Sequence, residues 1–239
     1  MKSLLSSLFV SRDISQKDTD PLENPVHQNV NTSRKDGFVF AFDREGEAAH
    51  RYRSIRAEIL SKQWNRKTIL VTSPGAGEGK TLTAVNLAFA FEEKKLSVLL
   101  LELTLTRPRF RYVFGAPPST KGIEAVLRGE AYPEQVICQL GDTGVEAAAV
   151  QKASSNHQLL DKNDNLKKLL EYGDKHYDWT ILDAPAVSDC DSMKYLAGQA
   201  GLSLMVTRAY RTQIQAFKDA TQQLQDDLSF VLFNDARVI

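Results

Sequence analysis

The sequence has few cysteines, no excess of charge of either sign and no long hydrophobic run. Its 239 residues include only 2 cysteines, too few for a disulfide framework, which favours a reducing compartment. Basic and acidic residues balance at 30 each, so no global field would attract nucleic acid or anionic lipid. No segment approaches the roughly 20 apolar residues of a membrane span, and the start SLLSSLFV lacks a cleavage pattern. We therefore expect a cytoplasmic protein that does not bind nucleic acid.

The first part of the chain also lacks apolar periodicity. Residues 11 to about 40 mix Ser, Asn, Asp, Gln and Pro, and such a stretch buries too little surface to offset its ordering entropy. We predict a flexible tail over residues 1–40, whose first ten residues could form a short amphipathic anchor for a partner. From Glu45, apolar residues recur at helical spacing, so we expect one folded domain over residues 41–239.

Beyond this first helix, short continuous apolar runs alternate with helical patterns. The runs are KTILVTS, LSVLLLEL, WTILDA, GLSLMVT and LSFVLFN, and the helical patterns include TLTAVNLAFAFEEKK, NDNLKKLLEYGDKH and TQIQAFKDATQQLQDD. Continuous apolar runs are typical of strands buried on both faces. Their alternation with helices predicts an α/β fold: a parallel sheet flanked by helices on both faces.

The stretch SPGAGEGKT, residues 73–81, lies between an apolar run and a helical pattern. Glycines let backbone N–H groups turn towards phosphate oxygens, and the helix N-terminus adds its positive dipole end. Lys80 would reach the β- and γ-phosphates and Thr81 would bind Mg²⁺. The strict P-loop pattern would require glycine at position 74, which is Pro74, so a chance glycine-rich turn is the alternative. The predicted nucleotide-binding residues are Gly75, Gly77, Glu78, Gly79, Lys80 and Thr81.

A phosphate loop of this kind also needs an acidic group on a neighbouring strand, to orient the hydration shell of the metal. Asp183 follows an apolar run in YDWTILDAP and precedes Ala-Pro, which would end the strand and leave the carboxylate at the edge where ligands bind in open parallel sheets. We predict that Asp183 belongs to the metal site. The alternative is an aspartate that caps the next loop.

With these motifs in series, the chain resembles the bacterial tyrosine kinases (BY-kinases) associated with capsule and exopolysaccharide export, a P-loop branch that includes septum-site and partition ATPases. The similarity runs from about residue 45 to 234. It is carried by RYRSIRAEI, TSPGAGEGKTLTAVNLA, TRPRFRYVFG, GIEAVLRGE and YDWTILDAPAVSDCDSM.

The resemblance implies a P-loop NTPase-type sheet, an ATP and Mg²⁺ site, and transfer of phosphate to protein tyrosine. It also implies ring-like homo-oligomers activated by a membrane polysaccharide co-polymerase, so that the protein would reach the inner face of the membrane through this partner. Lys80, Asp183 and Glu102 would be catalytic, with Thr81, Glu102 and Asp183 at the metal. Asn234 stands where the wider branch has an adenine-contacting asparagine.

Two departures affect the chemistry. Where the family has Asp-x-Asp, LLLELTLTRP has Glu102 and Thr104; threonine is no effective general base, and a general base typically contributes about 10²- to 10⁴-fold. After Tyr210 the sequence has no tyrosine, so the family's usual acceptor cluster is absent. We therefore expect nucleotide binding to survive better than phosphoryl transfer, and an acceptor tyrosine to lie in a surface loop or in another chain.

The arginine-rich helix also departs from the family pattern, with His50 where the family has glutamate. Arg53 and Arg56 share one helix face with it and could contact a neighbouring subunit, although a solvated arginine face is an equal alternative. If the protein is of the kinase type, two interpretations are possible: an active enzyme or a weakened ATP-dependent switch. The rival function is a partition or positioning ATPase that dimerises on ATP, and a scaffold without nucleotide is a third reading.

Overall fold

The computed structural model describes residues 6–10, 43–114, 121–140 and 143–235; of residues 6–10 it describes the backbone alone, and the side chain of His157 is also outside the description. These residues form an eight-stranded sheet. Its strands are β1 Ser6–Val10, β2 Thr68–Thr72, β3 Val98–Glu102, β4 Ile137–Gln139, β5 Val145–Ala148, β6 Trp179–Asp183, β7 Leu202–Arg208 and β8 Phe230–Asn234. The helices are α1 Glu47–Leu60, α2 Lys80–Glu92, α3 Phe110–Phe114, α4 Ile123–Leu127, α5 Asp164–His176, α6 Met193–Gln199 and α7 Ile214–Leu224.

The strand order is β1-β8-β7-β2-β6-β3-β5-β4, and only the β4–β5 pair is antiparallel among these strands. The five strands and three helices named from the sequence are confirmed, with ends that differ by up to three residues. This is the α/β fold that the alternation of strands and helices predicts, with the mostly parallel sheet of the P-loop NTPase type that the resemblance implies.

Helices cover both faces of the sheet because successive residues of the buried strands point in opposite directions. Ile69 and Val71 pack with α1 and α2 on one face. Leu70, between them, packs with α4 to α7 on the other face. All five residues of β2 are buried, which explains why its sequence is continuously apolar rather than alternating.

The predicted flexible tail over residues 1–40 needs a correction at its start. Ser6–Val10 forms β1, which pairs in parallel with β8 from Ser6 opposite Phe230 to Val10 opposite Asn234. The segment SSLFV therefore extends the sheet instead of remaining a tail. Residues 11–42 lie outside the described residues, so for them the tail stays a prediction. In the part of the chain that the structure covers, no helix is long and apolar enough to cross a membrane.

Candidate nucleotide site

The phosphate loop connects β2 to α2 at the carboxyl edge of the sheet, and β2 lies between β6 and β7. The loop is fixed from the side by the segment after β6. The Val187 N–H donates to the Ser73 carbonyl at 2.8 Å, and the Ser188 N–H donates to the Pro74 carbonyl at 3.2 Å. Proline at position 74 therefore fits this loop, since it needs no N–H there and its carbonyl has a partner.

Two glycines give the loop its shape. Gly77 has φ +79° and Gly79, just before α2, has φ +100°, a region that other residues rarely adopt. A Cβ on Gly77 would meet open space, whereas a Cβ on Gly79 would collide with the Asn234 side-chain amide. The backbone at Gly79 therefore approaches β8 closely, and the sequence pattern alone did not show this contact.

Lys80 is the first residue of α2 and is buried, at 9% exposure. Its Nζ donates to Ser73 Oγ at 3.0 Å, and Ser73 Oγ donates to the Gly75 carbonyl at 2.5 Å. Burial lowers the pKa of Lys80, and the negative charge of Asp183 opposes this shift. The ammonium group is thus held inside the loop by a hydroxyl, at the place where phosphate binding would compensate for its burial.

Asp183 ends β6 and is fully buried. Thr81 Oγ1 donates to its Oδ2 at 2.7 Å, while its Oδ1 is buried without a hydrogen-bond partner among the described residues. Burial raises its pKa to about 7, the Thr81 hydrogen bond and Lys80 oppose the shift, and Glu102 adds to it. A buried hydrogen-bond acceptor without a donor is costly, and a water molecule of a hydrated Mg²⁺ bound to Thr81 would donate to Asp183 Oδ1. Thr81 and Asp183 therefore fit the metal role that the sequence predicts for them.

Glu102 lies beside Asp183 on the neighbouring strand, in register with it, but its carboxylate already has partners. Oε1 accepts from the N–H groups of Arg109 and Phe110, and Oε2 accepts from the Val150 N–H at 2.9 Å. Burial raises the pKa of Glu102, and these three backbone hydrogen bonds oppose the shift. Glu102 therefore acts as an anchor: its carboxylate holds the backbone at Arg109 and Phe110 and the backbone at Val150. The catalytic and metal roles of Glu102 stay predictions.

Thr104 follows β3 in the position of the family's second acid. Its hydroxyl donates to the Asp183 backbone carbonyl at 3.4 Å. It thus lies next to Asp183 but brings no negative charge and no strong base.

Asn234 contacts the phosphate loop at Glu78, which is itself a loop residue. The Asn234 Nδ2 donates to the Glu78 carbonyl at 3.0 Å, and the Asn234 Oδ1 accepts from the Asp235 N–H at 3.1 Å. Asn234 is buried, at 6% exposure, with both ends of its amide engaged. Its contact with adenine stays a prediction.

Arg53 and Arg56, predicted at a subunit contact, pair within the chain. Both bind Glu93, just after α2: Arg53 Nη2 at 2.7 Å and Arg56 Nη1 at 3.0 Å. Arg56 also donates to the Ala90 carbonyl at 2.5 Å and is only 6% exposed. These contacts join α1 to α2, and a subunit contact through the two arginines stays a prediction.

Known proteins resemble this chain in sequence and in fold. No family model matches the sequence. The chain is 26% identical over 182 residues to the tyrosine-protein kinase CpsD of Streptococcus pneumoniae serotype 4, covering 75% of this chain and 79% of CpsD. It is 26% identical over 178 residues to the tyrosine-protein kinase YwqD of Bacillus subtilis, covering 74% and 75%. The chain is a relative of the bacterial tyrosine-protein kinases.

The chain spans only 25% of the related protein EpsB of Ralstonia solanacearum, to which it is 27% identical over 187 residues. Among solved structures, the kinase domain of the Escherichia coli tyrosine kinase ETK superposes with a TM-score of 0.79 at 21% identity, covering 97% of this chain and 92% of that one. The BceF tyrosine kinase domain gives 0.72 at 23% identity, with 84% and 83% covered. At these identities the superpositions show the shared fold.

Sequence reasoning missed three residues around the loop: Ser73, Arg208 and Thr212. Ser73 holds the Lys80 ammonium, and its place directly before the loop was a usable signal. The Arg208 N–H and the Thr212 hydroxyl both donate to Glu78 Oε2, at 3.0 Å and 2.6 Å. They lie 130 and 134 positions further along the chain, so no local pattern could have revealed them.

Proposed function

We propose that this chain binds ATP with Mg²⁺ at the phosphate loop and transfers the γ-phosphate to protein tyrosine slowly, or uses ATP as a weakened switch. The Lys80, Thr81 and Asp183 arrangement carries the proposal, with Asp183 Oδ1 buried beside the Thr81 hydroxyl and without a partner in the described residues. The tyrosine-kinase names of CpsD and YwqD support tyrosine as the acceptor.

Residues of the phosphate loop and of β6 would have separate roles in binding ATP and Mg²⁺. Bound ATP supplies the transferable phosphoryl group and Mg²⁺ neutralises charge on it. Lys80 would exchange its contact with Ser73 for phosphate oxygens, because a desolvated ammonium gains most from an anionic partner. Thr81 would bind the metal through its hydroxyl, and Asp183 would orient the metal's hydration shell. The loop from Gly75 to Gly79 would direct its backbone N–H groups at the phosphates, except for the Gly75 N–H, which donates to Glu78 Oε1.

The weakness of the transfer step follows from the second acidic position. Thr104 offers a hydroxyl that already donates to a backbone carbonyl, and the Glu102 carboxylate accepts three backbone N–H groups. Neither group is placed as an unengaged base for a tyrosine hydroxyl. Loss of a general base typically costs about 10²- to 10⁴-fold in rate, while the residues that bind phosphate remain.

We further propose that the protein works with a membrane polysaccharide co-polymerase at the inner face of the membrane and assembles into homo-oligomers. The support is its relationship to kinases of the EpsB and CpsD type. Since Arg53 and Arg56 bind Glu93 in the same chain, an oligomer contact there would involve the exposed side of this ion-pair group rather than unpaired arginines.

The experiment is to incubate the purified protein with γ-labelled ATP and Mg²⁺ and to measure phosphotyrosine and released phosphate together, beside Lys80→Met. Phosphotyrosine that depends on Lys80 would establish a kinase, and mass spectrometry would locate the acceptor. Released phosphate alone would indicate an ATP-dependent switch. Absence of both products together with absence of ATP binding would contradict the proposal.

The positioning-ATPase alternative is tested in the same assay. The MinD structure from Pyrococcus horikoshii described as complexed with Mg-ADP superposes with a TM-score of 0.56 at 19% identity, covering 70% of this chain and 68% of MinD, which shows a shared fold. Members of that branch commonly carry an extra lysine early in the phosphate loop, and SPGAGEGKT has none before Lys80. ATP-dependent dimers that release phosphate without phosphotyrosine would favour this alternative.

A further inference from the structure

Glu78 is a charged residue within the phosphate loop whose carboxylate lies inside the protein. The side chain is 8% exposed and makes no ion pair within 4 Å in the described residues. Its partners are hydrogen-bond donors. Since burying a carboxylate is costly unless several donors compensate it, the arrangement of these donors shows what the residue holds in place.

One carboxylate oxygen closes the loop on itself. Glu78 Oε1 accepts from the Gly75 N–H at 3.1 Å, so the side chain spans the loop from its fourth-last residue back to its start. This contact fixes the distance between the two ends of the glycine-rich segment. The Gly75 N–H is therefore engaged by a side chain of the loop itself.

The other carboxylate oxygen reaches the turn between β7 and α7, residues 208–213, which we call the β7–α7 turn. Glu78 Oε2 accepts from the Arg208 N–H at 3.0 Å and from the Thr212 hydroxyl at 2.6 Å. The Arg208 N–H also donates to Thr212 Oγ1 at 2.9 Å. Three polar groups thus close a small network in which the Thr212 hydroxyl accepts one hydrogen bond and donates another.

Backbone hydrogen bonds close the β7–α7 turn and join it to β8: the Thr212 N–H donates to the Arg208 carbonyl at 3.0 Å, and the Ala209 N–H donates to the Asn234 carbonyl at 2.8 Å. Tyr210, at its tip, has φ +62° and is 80% exposed, and Ile214, which begins α7, is 73% exposed. A non-glycine residue in the left-handed region is strained and persists where its surroundings hold it. The Arg208–Asp235 ion pair holds one end of the turn. The Glu78 network adds the contact between this turn and the phosphate loop, on both sides of the strained residue.

We propose that Glu78 is a positioning residue that fixes the phosphate loop against the β7–α7 turn, so that nucleotide binding and the conformation of this turn are coupled. The inference rests on the proposed function, since it takes the phosphate loop as the nucleotide site. Its consequence is that a nucleotide stabilises the surface formed by Tyr210 and Ile214, although neither residue is part of the loop. Coupling is reciprocal, so loosening the turn weakens nucleotide binding.

The first measurement is MgADP affinity by titration calorimetry for the full chain, Glu78→Gln and Glu124→Gln. The glutamine at position 78 keeps the shape but must place an NH₂ group against backbone donors, and we expect a dissociation constant at least about fivefold higher, the low end of measured couplings. Glu124 is the matched control: it is 4% exposed and accepts from the Gln151 and Lys152 N–H groups, outside the phosphate loop. Glu124→Gln should lower the melting temperature and leave the MgADP affinity unchanged.

Thr212 provides the second arm. Thr212→Val removes the hydroxyl and should weaken MgADP binding less than Glu78→Gln does, whereas Thr212→Ser keeps the hydroxyl and should bind MgADP as the wild type does. The double variant Glu78→Gln with Thr212→Val should bind MgADP no more weakly than Glu78→Gln alone. Thr221→Val is the control, because its hydroxyl donates only to the Phe217 carbonyl of its own helix. Additive losses in the double variant would overturn the shared network.

Hydrogen exchange followed by mass spectrometry tests the coupling directly. We expect saturating MgADP to protect both the phosphate loop and residues 208–214 in the wild type, and to protect only the loop in Glu78→Gln. Equal protection of the turn in both proteins would overturn the coupling while leaving nucleotide binding established. Equal losses of affinity in Glu78→Gln and Glu124→Gln would also overturn it. Wild-type protein that binds no MgADP would overturn the proposed function and the coupling together.

Discussion

At the scale of single residues, Gly77 and Gly79 offer a matched pair of substitutions. Both have positive φ, but only at Gly79 would a Cβ collide, with Asn234. Gly77→Ala should cost about 1–2 kcal/mol of backbone strain and weaken MgADP binding modestly. Gly79→Ala adds displacement of the amide that donates to the Glu78 carbonyl, so we expect a larger loss, of tenfold or more in affinity. Calorimetric titrations of the two variants measure this, and equal losses would contradict the role of the Asn234 contact.

The position of the Asp183 carboxyl could be predicted from the sequence, whereas the hydrogen-bond partners of Glu102 could not. Its place at the end of an apolar run before Ala-Pro predicted an acidic group at the edge of the sheet, and the structure places it there, hydrogen-bonded to Thr81. The same reading could not show that Glu102 accepts from Arg109, Phe110 and Val150, because two separate loops supply these donors. Local pattern identifies strand ends, whereas the partners of a buried carboxylate depend on tertiary packing.

At the scale of secondary-structure elements, α1 and α2 are joined by Glu93 with Arg53 and Arg56. The two arginines lower the pKa of Glu93 to about 2, with the Arg53 hydrogen bond as the largest cause. Because the pKa is depressed in the folded state, the stabilisation is complete above about pH 4.5 and is lost as the pH falls towards 2. A quarter of the Glu93 side chain is exposed, at 26%, so solvent screens part of the attraction.

We therefore predict that Glu93→Gln lowers the free energy of unfolding by about 1–2 kcal/mol at pH 7 and flattens its decline between pH 4.5 and 2. Urea unfolding across this pH range measures both effects. Glu58→Gln is the control, because Glu58 pairs with Lys62, two residues beyond the end of the same helix, and both side chains are exposed, at 39% and 41%. This substitution should change stability by less than about 0.5 kcal/mol. An unchanged acid limb in Glu93→Gln would show that the helix pair does not depend on this group.

Glu102 joins three elements, β3, α3 and the end of β5, and its substitution separates an anchor from a metal ligand. Glu102→Gln replaces an acceptor oxygen by a donor against backbone N–H groups, and we expect a loss of roughly 2 kcal/mol in unfolding free energy. If Glu102 is an anchor, the Mg²⁺ concentration that half-saturates nucleotide binding stays the same. A several-fold rise in that concentration, with little loss of stability, would instead support the metal role that the sequence predicts.

At the scale of the whole molecule, the sequence predicted the buried strands well because each is a short continuous apolar run bounded by a helix. It missed β4, β5 and β1 for different reasons. β4, at the sheet edge, has two half-buried residues and one exposed residue, so it has no apolar run. β5 has the sequence VEAA, in which two alanines and a charged residue do not form an apolar run either. β1 is separated from its partner β8 by most of the chain, so its pairing has no local signal.

The position of β1 beside β8 leads to a last prediction, which concerns the whole sheet and the site together. β8 ends at Asn234, which contacts the phosphate loop, but β8 is also held by β7 through residues 204–208. Because β7 and the loop remain in place, a chain beginning at Asp43 should lose the β1–β8 hydrogen bonds and melt a few degrees lower, at roughly 2–4 °C per kcal/mol, while keeping its nucleotide site.

Thermal unfolding of the full chain and of residues 43–239, each with and without MgADP, measures this. At a ligand concentration 100 times the dissociation constant, binding should add about 2.7 kcal/mol to stability, and the increment should be the same for both chains because β1 contributes no residue to the loop. Lys80→Met should abolish the increment in both. A shortened chain that melts lower and also loses the MgADP increment would show that β1 supports the site through β8, which would make the first ten residues part of the nucleotide-binding domain.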